Sequence, residues 1–105
     1  MNIADLKDGM WNVDVAGVII EKTEVREVRS KYTDELYRVS DATIEDVTGY
    51  ITLTLWNEQT SKVYVDDKVK VKNGYVKSFN DVLQLSSGKH GTLTVINSTT
   101  TRLVQ

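Results

Sequence analysis

The chain has 105 residues, no cysteine and a formal net charge of −2, from 13 basic and 15 acidic side chains. That length holds one domain, and the missing thiols exclude a disulfide framework, a thiol nucleophile and a thiolate metal site. No apolar run approaches a membrane span, the opening MNIADLKDGM lacks the basic and then apolar regions of a signal peptide, and the acidic balance argues against a protein that grips nucleic acid by bulk positive charge.

Absent proline and abundant Val, Thr, Ile and Tyr favour strands. Ile3 and Leu6 are spaced for one helical turn ended at Gly9. Trp11, Val13, Val15 and, past Gly17, Ile19 alternate with polar residues, which predicts a half-buried first strand with Trp11 in the core or plugging a barrel end. Gly17 in mid-strand predicts a bend or bulge that lets one strand serve both sides of a barrel. Residues 24 to 36 lose the alternation and read as a charged hairpin loop. A second strand spans Tyr37 to Glu45 with Ala42 and Ile44 inward, followed by a turn in which Gly49 supplies a positive φ.

The third strand, YITLTLW, is the cleanest: Ile51, Leu53 and Leu55 face one way, and Tyr50, Thr52, Thr54 and Trp56 the other. A short helical turn falls between Asn57 and Val65. The fourth strand is KVKVKNGYVKSF and the fifth begins at VLQL, with residues 92–96 extending it after the SSGKHG turn. His90, the single histidine, reads as a solvated loop residue. Five strands, with the helical turn between the third and fourth, predict an all-β, five-stranded Greek-key OB-fold barrel over residues 1–96. Residues 97–105 read as a short, flexible C-terminal extension.

Parity places Trp56 outside the barrel. An indole left in water forgoes a few kcal/mol at roughly 25 cal/mol per Å² of apolar surface, so a ligand, a loop or another chain should cover it. In the fourth strand Val69 and Val71 point inward and Lys68, Lys70 and Lys72 form a solvated outer face. Strict alternation would bury Tyr75 and Phe79 as core residues. The pair Asn73-Gly74 is what a bulge uses, and one extra residue reverses parity. With the bulge, Tyr75, Lys77 and Phe79 make an aromatic-basic-aromatic comb on the solvent side, which suits stacked bases and a phosphate.

The run from Gly49 to Gly88, GYITLTLWNEQTSKVYVDDKVKVKNGYVKSFNDVLQLSSG, resembles the single-OB-fold single-stranded-DNA-binding proteins of archaea, which are related to eukaryotic simple SSBs and replication protein A OB domains. IADLKDGM and SDATIEDVTG resemble that family's opening and second strand, so the likeness extends to about Ile96. Its most specific motif is the block ending LTLW followed by Asn73, Tyr75 and Phe79. The resemblance implies that Trp56, Tyr75 and Phe79 stack on consecutive bases. The family commonly has tryptophan at the place of Tyr75, and the smaller ring implies a weaker stack. The family often carries an acidic or glycine-rich tail that recruits other proteins; the sequence ends NSTTTRLVQ, so recruitment of that kind is not expected of these residues.

The resemblance further implies sequence-tolerant binding of an extended single strand across the second and third strands, in replication, recombination or repair. Phosphates fall to Lys77 and to Arg26, Arg29, Lys31, Tyr32 and Arg38, which lie in or beside the loop between the first two strands; the alternative is that this loop is a solvated charged hairpin. Tyr50 opens the exposed side of the third strand and is a further contact. The partner is single-stranded DNA, or RNA, since stacking does not read the 2′-hydroxyl; protein partners come from the DNA-processing machinery, and no membrane is involved. Location is cytoplasmic and nucleoid-associated in an archaeal cell, nuclear in a eukaryotic one. No cofactor, metal or enzymatic activity is expected: the adjacent acids Glu45-Asp46 and Asp66-Asp67 sit in turns where side chains diverge, and no phosphate-binding glycine loop or serine elbow is present. The competing reading is an OB-fold subunit that uses the same face to hold a protein.

Overall fold

Alternation from Trp11 onwards produces β1 (Trp11–Lys22), with Val13, Val15 and Ile19 buried and the residues between them more open. In the computed structural model, which describes residues 1–88 and 90–97, it is preceded by a 3-10 turn (Ile3–Asp5). It is followed by β2 (Arg26–Arg29), β3 (Leu36–Asp46), β4 (Gly49–Trp56), helix α1 (Gln59–Lys62), β5 (Lys68–Phe79), β6 (Val82–Ser86) and β7 (Thr92–Asn97). Apart from the backbone of Asn97, the expected C-terminal extension lies outside the described residues. No described helix is long and apolar enough to cross a membrane.

The strands close on themselves. β1 pairs antiparallel with β3 and β3 with β4; β4 runs parallel to β6, β6 pairs antiparallel with β5, and β5 returns antiparallel to β1. The ring is the expected five-stranded OB-fold barrel, with α1 between its third and fourth strands. β2 lies outside it and pairs with β3, so the charged loop is a two-stranded ribbon. The fifth strand is broken into two pieces on one edge of β5: β6 pairs with residues 75–79 and β7 with residues 68–72.

Gly17 does not mark the bend in β1. The register against β3 breaks between Ile19 and Glu21, and Gly17 is a point of close approach, where a Cβ would lie 2.5 Å from the Glu45 carbonyl oxygen. Only a residue without a side chain lets β1 pass from β5 to β3 here, with Val18 opposite both Glu45 and Lys68. Gly49 has the expected positive φ, at 159°, and Asp46 Oδ1 accepts its N–H to close the turn before it.

Two bulges sit side by side where β1 meets β5. Trp11 pairs with Tyr75, Val13 with Gly74 and Val15 with Val71, so one extra residue is inserted at Asn12 in β1 and one around Asn73 in β5. Both asparagines are left-handed, at φ 59° and 55°. Asparagine is among the few residues that tolerate this region. The bulge at Asn73 reverses the parity of β5 as the sequence suggests: Gly74 and Val76 are buried, while Tyr75, Lys77 and Phe79 are exposed. The bulge at Asn12 does the same to β1 and corrects the reading of Trp11. Its indole is 77% exposed, neither core nor plug, because the extra residue turns it out of the row of Val13 and Val15.

The barrel is filled by aliphatic side chains, chiefly Val13, Val15, Ile19, Ile44, Leu53, Leu55, Val69, Val71, Val76 and Leu85. Ile3 and Leu6 join that core from the N-terminal turn. Asp46 latches the turn in place: Oδ2 accepts the Ile3 N–H at 2.9 Å, and Oδ1 accepts the Thr48 N–H at 2.7 Å and the Gly49 N–H at 3.1 Å. These bonds stabilise the ionised carboxylate. The Thr48 hydroxyl contributes most, then the Ile3 N–H; burial opposes them, and the pKa is held below its ordinary value of 3.8. A carboxyl with a depressed folded pKa adds stability that is complete above the unfolded value and lost as pH falls through the folded one. Asp46→Ala is therefore expected to be less stable than the parent at neutral pH, with the difference shrinking as pH falls below about 3.9; urea denaturation at neutral and acidic pH measures it.

Candidate nucleic-acid interface

The outer face of the barrel carries several exposed aromatic rings, among them Trp56, Tyr75 and Phe79. Trp56 ends β4 on the solvent side, and the β5 bulge brings Tyr75, Lys77 and Phe79 out beside it. These four residues, with Thr54, Gln84 and Ser86, line one pocket of about 100 Å³. β6 lies between β4 and β5 in the ring, so its Gln84 and Ser86 are the middle of the floor. This pocket thus lies on the third, fifth and fourth barrel strands.

Trp56 is 38% exposed and buttressed on one side. Tyr37 meets it edge-to-face, with centroids 6.3 Å apart and planes at 89°. Tyr37 was not singled out by the sequence reading, although it precedes by two positions Val39, the cross-strand partner of Trp56. Such diagonal neighbours are within reach of aromatic side chains. From below, Gln59 fixes the end of β4: Oε1 accepts the Trp56 N–H at 3.0 Å, and Nε2 donates to Ser87 Oγ at 2.8 Å. Thr54 is 7% exposed, and its hydroxyl has no partner within the protein.

The pocket opens into a longer groove. A depression of about 410 Å³ shares Phe79 and Gln84 with it and adds Asp41, Thr43, Thr52 and Val82. A third, of about 450 Å³, shares Thr43, Thr52 and Val82 with the second and reaches Tyr50. Tyr50 therefore belongs to the same surface as Trp56, at its opposite end.

The ribbon cations divide by parity. Arg26 pairs with Val39, itself opposite Trp56, so Arg26 shares the aromatic face; its guanidinium stands 3.6 Å from Asp41. Arg29 pairs with Leu36 and Arg38 with Glu27, positions that alternate with that row and face the other side. Arg29 is also held by Asp34, at 3.1 Å. Lys31 and Tyr32 lie in the turn at the tip of the ribbon, with Tyr32 almost fully exposed. Lys77 is the cation on the pocket itself. Among the described residues no group of three or more His, Cys, Asp or Glu side chains is placed to hold a metal ion.

A barrel of this topology with an aromatic outer face defines an OB-fold binding module. Residues 10–95 match the model of the Ssb-like single-stranded DNA binding proteins, OB fold, and the chain belongs to that family. It is 29% identical over 86 residues to the single-stranded DNA binding protein Ssb of Saccharolobus solfataricus, covering 82% of this chain and 57% of that protein. The chain thus spans little more than half the length of this curated relative. The solved OB domain of Ta0387 from Thermoplasma acidophilum superposes with a TM-score of 0.77 at 28% identity, over 93% of this chain and 87% of that one. The second OB-fold domain of replication protein A from Methanococcus maripaludis gives a TM-score of 0.77 over 94% of this chain and 96% of that one; at 23% identity it supports the fold alone.

Exposure of the Phe79 ring, at 63%, has a direct consequence for folding. Phe79→Ala is expected to change stability by no more than about 0.5 kcal/mol, as for an ordinary surface position. Leu53→Ala, inside the barrel, should cost about 2–5 kcal/mol. Chemical denaturation of the two variants beside the parent makes the comparison.

Proposed function

We propose that this chain binds single-stranded DNA with little regard to sequence, holding bases on Trp56, Tyr75 and Phe79 and the phosphate backbone on Lys77 and cations of the ribbon. The observation that carries this reading is the pocket in which three aromatic rings and one lysine share a face built on strands. An aromatic face accepts any base, at about 1–3 kcal/mol per stack, whereas a duplex hides its base faces. Arg26 is the ribbon cation best placed to follow the strand past Trp56; Arg29, Lys31, Tyr32 and Arg38 meet a strand that wraps the ribbon, and Tyr50 a strand that runs the full groove. The role is binding rather than catalysis: protecting and presenting single strands in replication, recombination or repair, in the cytoplasm at the nucleoid of an archaeal cell or the nucleus of a eukaryotic one. The family membership and the archaeal relative support this assignment.

Oligonucleotide titration tests it. Phe79→Ala should weaken binding of oligothymidylate by about 1–3 kcal/mol, and duplex DNA of the same length should bind far more weakly than the single strand. Equal affinity for duplex, or no loss in Phe79→Ala, would remove stacking from the mechanism; an absence of binding to any oligonucleotide would favour a protein partner on this face.

The balance between rings and charge also fixes a salt dependence. Single strands release roughly 0.7 counterion per phosphate neutralised, so about three or four contacts give a log–log slope of about −2 to −3. A much steeper slope would show that phosphate contacts, not stacking, carry the affinity.

A further inference from the structure

Trp11 is an exposed indole that the pocket above does not use. It stands directly opposite Tyr75 across the β1–β5 seam, on the same side of the sheet. The two rings line a separate depression of about 420 Å³, together with Asn12, Gly88 and His90. Among the described residues the Tyr37–Trp56 contact is the only aromatic pair, so Trp11 and Tyr75 do not occupy each other's faces. Tyr75 is therefore a shared wall, with the Trp56–Phe79 pocket on one side and the Trp11 depression on the other.

The backbone keeps this second space open in two places. The left-handed Asn12 bulge is what turns the indole outward. Gly88, at φ 64°, lies so close to Tyr75 that a Cβ there would be 2.8 Å from the ring. A side chain at 88 would cover the edge of Tyr75 and fill the mouth of the depression.

We infer that the Trp11–Tyr75 depression is an end subsite that holds one further nucleobase of the same single strand, stacked on the Trp11 indole. The inference rests on the single-strand reading above. Continuity through Tyr75 commits the occupant to the strand already lying in the groove rather than to a separate ligand: a base leaving the Trp56 pocket past Tyr75 arrives at Trp11. A wide space walled by two rings suits a base. The groove then runs from Tyr50 past Phe79, Trp56 and Tyr75 to Trp11, and the length of strand it covers depends on an indole at its end.

Affinity for a ladder of oligothymidylates of increasing length, read for the parent, Trp11→Ala and Trp56→Ala, tests this. Trp11→Ala should bind the shortest oligomers like the parent, reach its affinity plateau at a shorter length, and fall below the parent by about fivefold or more on long oligomers. Trp11→Phe should recover most of that loss. In a Trp56→Phe background, Trp11 emission should be quenched by long oligomers and not by the shortest ones. If Trp56→Ala weakens every length while Trp11→Ala weakens none and Trp11 emission stays unchanged, the subsite is overturned and the main reading stands. Equal loss at every length in Trp11→Ala would also overturn an end position. If the parent binds no oligomer, both readings fall together.

Discussion

Three of the rings on the outer face, Trp11, Tyr75 and Phe79, depend on two left-handed asparagines in neighbouring strands. A barrel of five strands has room inside for valine, leucine and isoleucine, and a strand that alternates without a break delivers every second residue there. Asn12 and Asn73 each insert one residue, so that Trp11, Tyr75 and Phe79 leave the inward row and Gly74 and Val76 enter it. The disruption leaves a backbone donor in need of an acceptor, and Asp14 supplies it: Oδ1 accepts the Asn73 N–H at 2.8 Å. An unpaired N–H would otherwise cost about 1–3 kcal/mol if shut from water. The seam is stapled beyond the bulges as well, where Asp8 Oδ1 accepts the Ser78 N–H at 2.8 Å, Gly9 N–H donates to the Val76 carbonyl, and the Met10 carbonyl accepts the Val76 N–H.

The same kind of bond gives several acids a structural role in a chain whose net charge is −2. Asp8, Asp14, Asp46 and Asp67, four of the fifteen acidic residues, accept backbone N–H groups at turns and strand irregularities. Cations are also committed: Lys22 donates to the Thr60 carbonyl and stands 5.1 Å from the Tyr64 ring centroid. Lys77 remains at the aromatic pocket, and Arg26 shares its face. A pocket whose described lining holds one cation, Lys77, would attract a polyanion weakly from a distance, so on the proposed reading its affinity comes from contact.

The sequence made the barrel legible because its strands are buried on one face, and burial enforces alternation. β4 is the clearest case, and α1 betrays itself by breaking the pattern. Asn73 could be read because glycine follows it and because an aromatic-lysine-aromatic rhythm gains meaning once parity is reversed. Asn12 carries a similar signal without glycine, and Trp11 keeps parity with Val13 and Val15, so an indole beside a valine row looks like core. What distinguishes the two is pairing: the bulges face each other across β1 and β5, and cross-strand register is not written in either strand alone. Gly17 misled for a related reason. Its role is set by the Glu45 carbonyl, remote in sequence, rather than by a local bend. The ribbon arginines were legible as a cluster, but their division between two faces follows from the β2–β3 register.

Sequence tolerance, on the proposed reading, follows from what the pocket lacks as much as from its rings. Reading a base edge requires donors and acceptors in a fixed pattern, such as paired amide or guanidinium groups aimed at one edge. The floor here offers the Ser86 hydroxyl and the Gln84 amide. A hydroxyl rotates to donate or accept, and an amide presents both functions, so neither rejects a base by leaving it unpaired. The rings, by contrast, stand on fixed backbone: Tyr37 packs against the Trp56 ring and Gln59 holds its N–H, Tyr75 pairs with both β1 and β6, and Phe79 pairs with Val82 of β6. Backbone already fixed need not be ordered when a strand binds, which lowers the entropic cost of association. Specificity for the single-stranded state then resides in the exposed π-faces, which a duplex cannot match, and indifference to sequence resides in the adaptable floor beneath them.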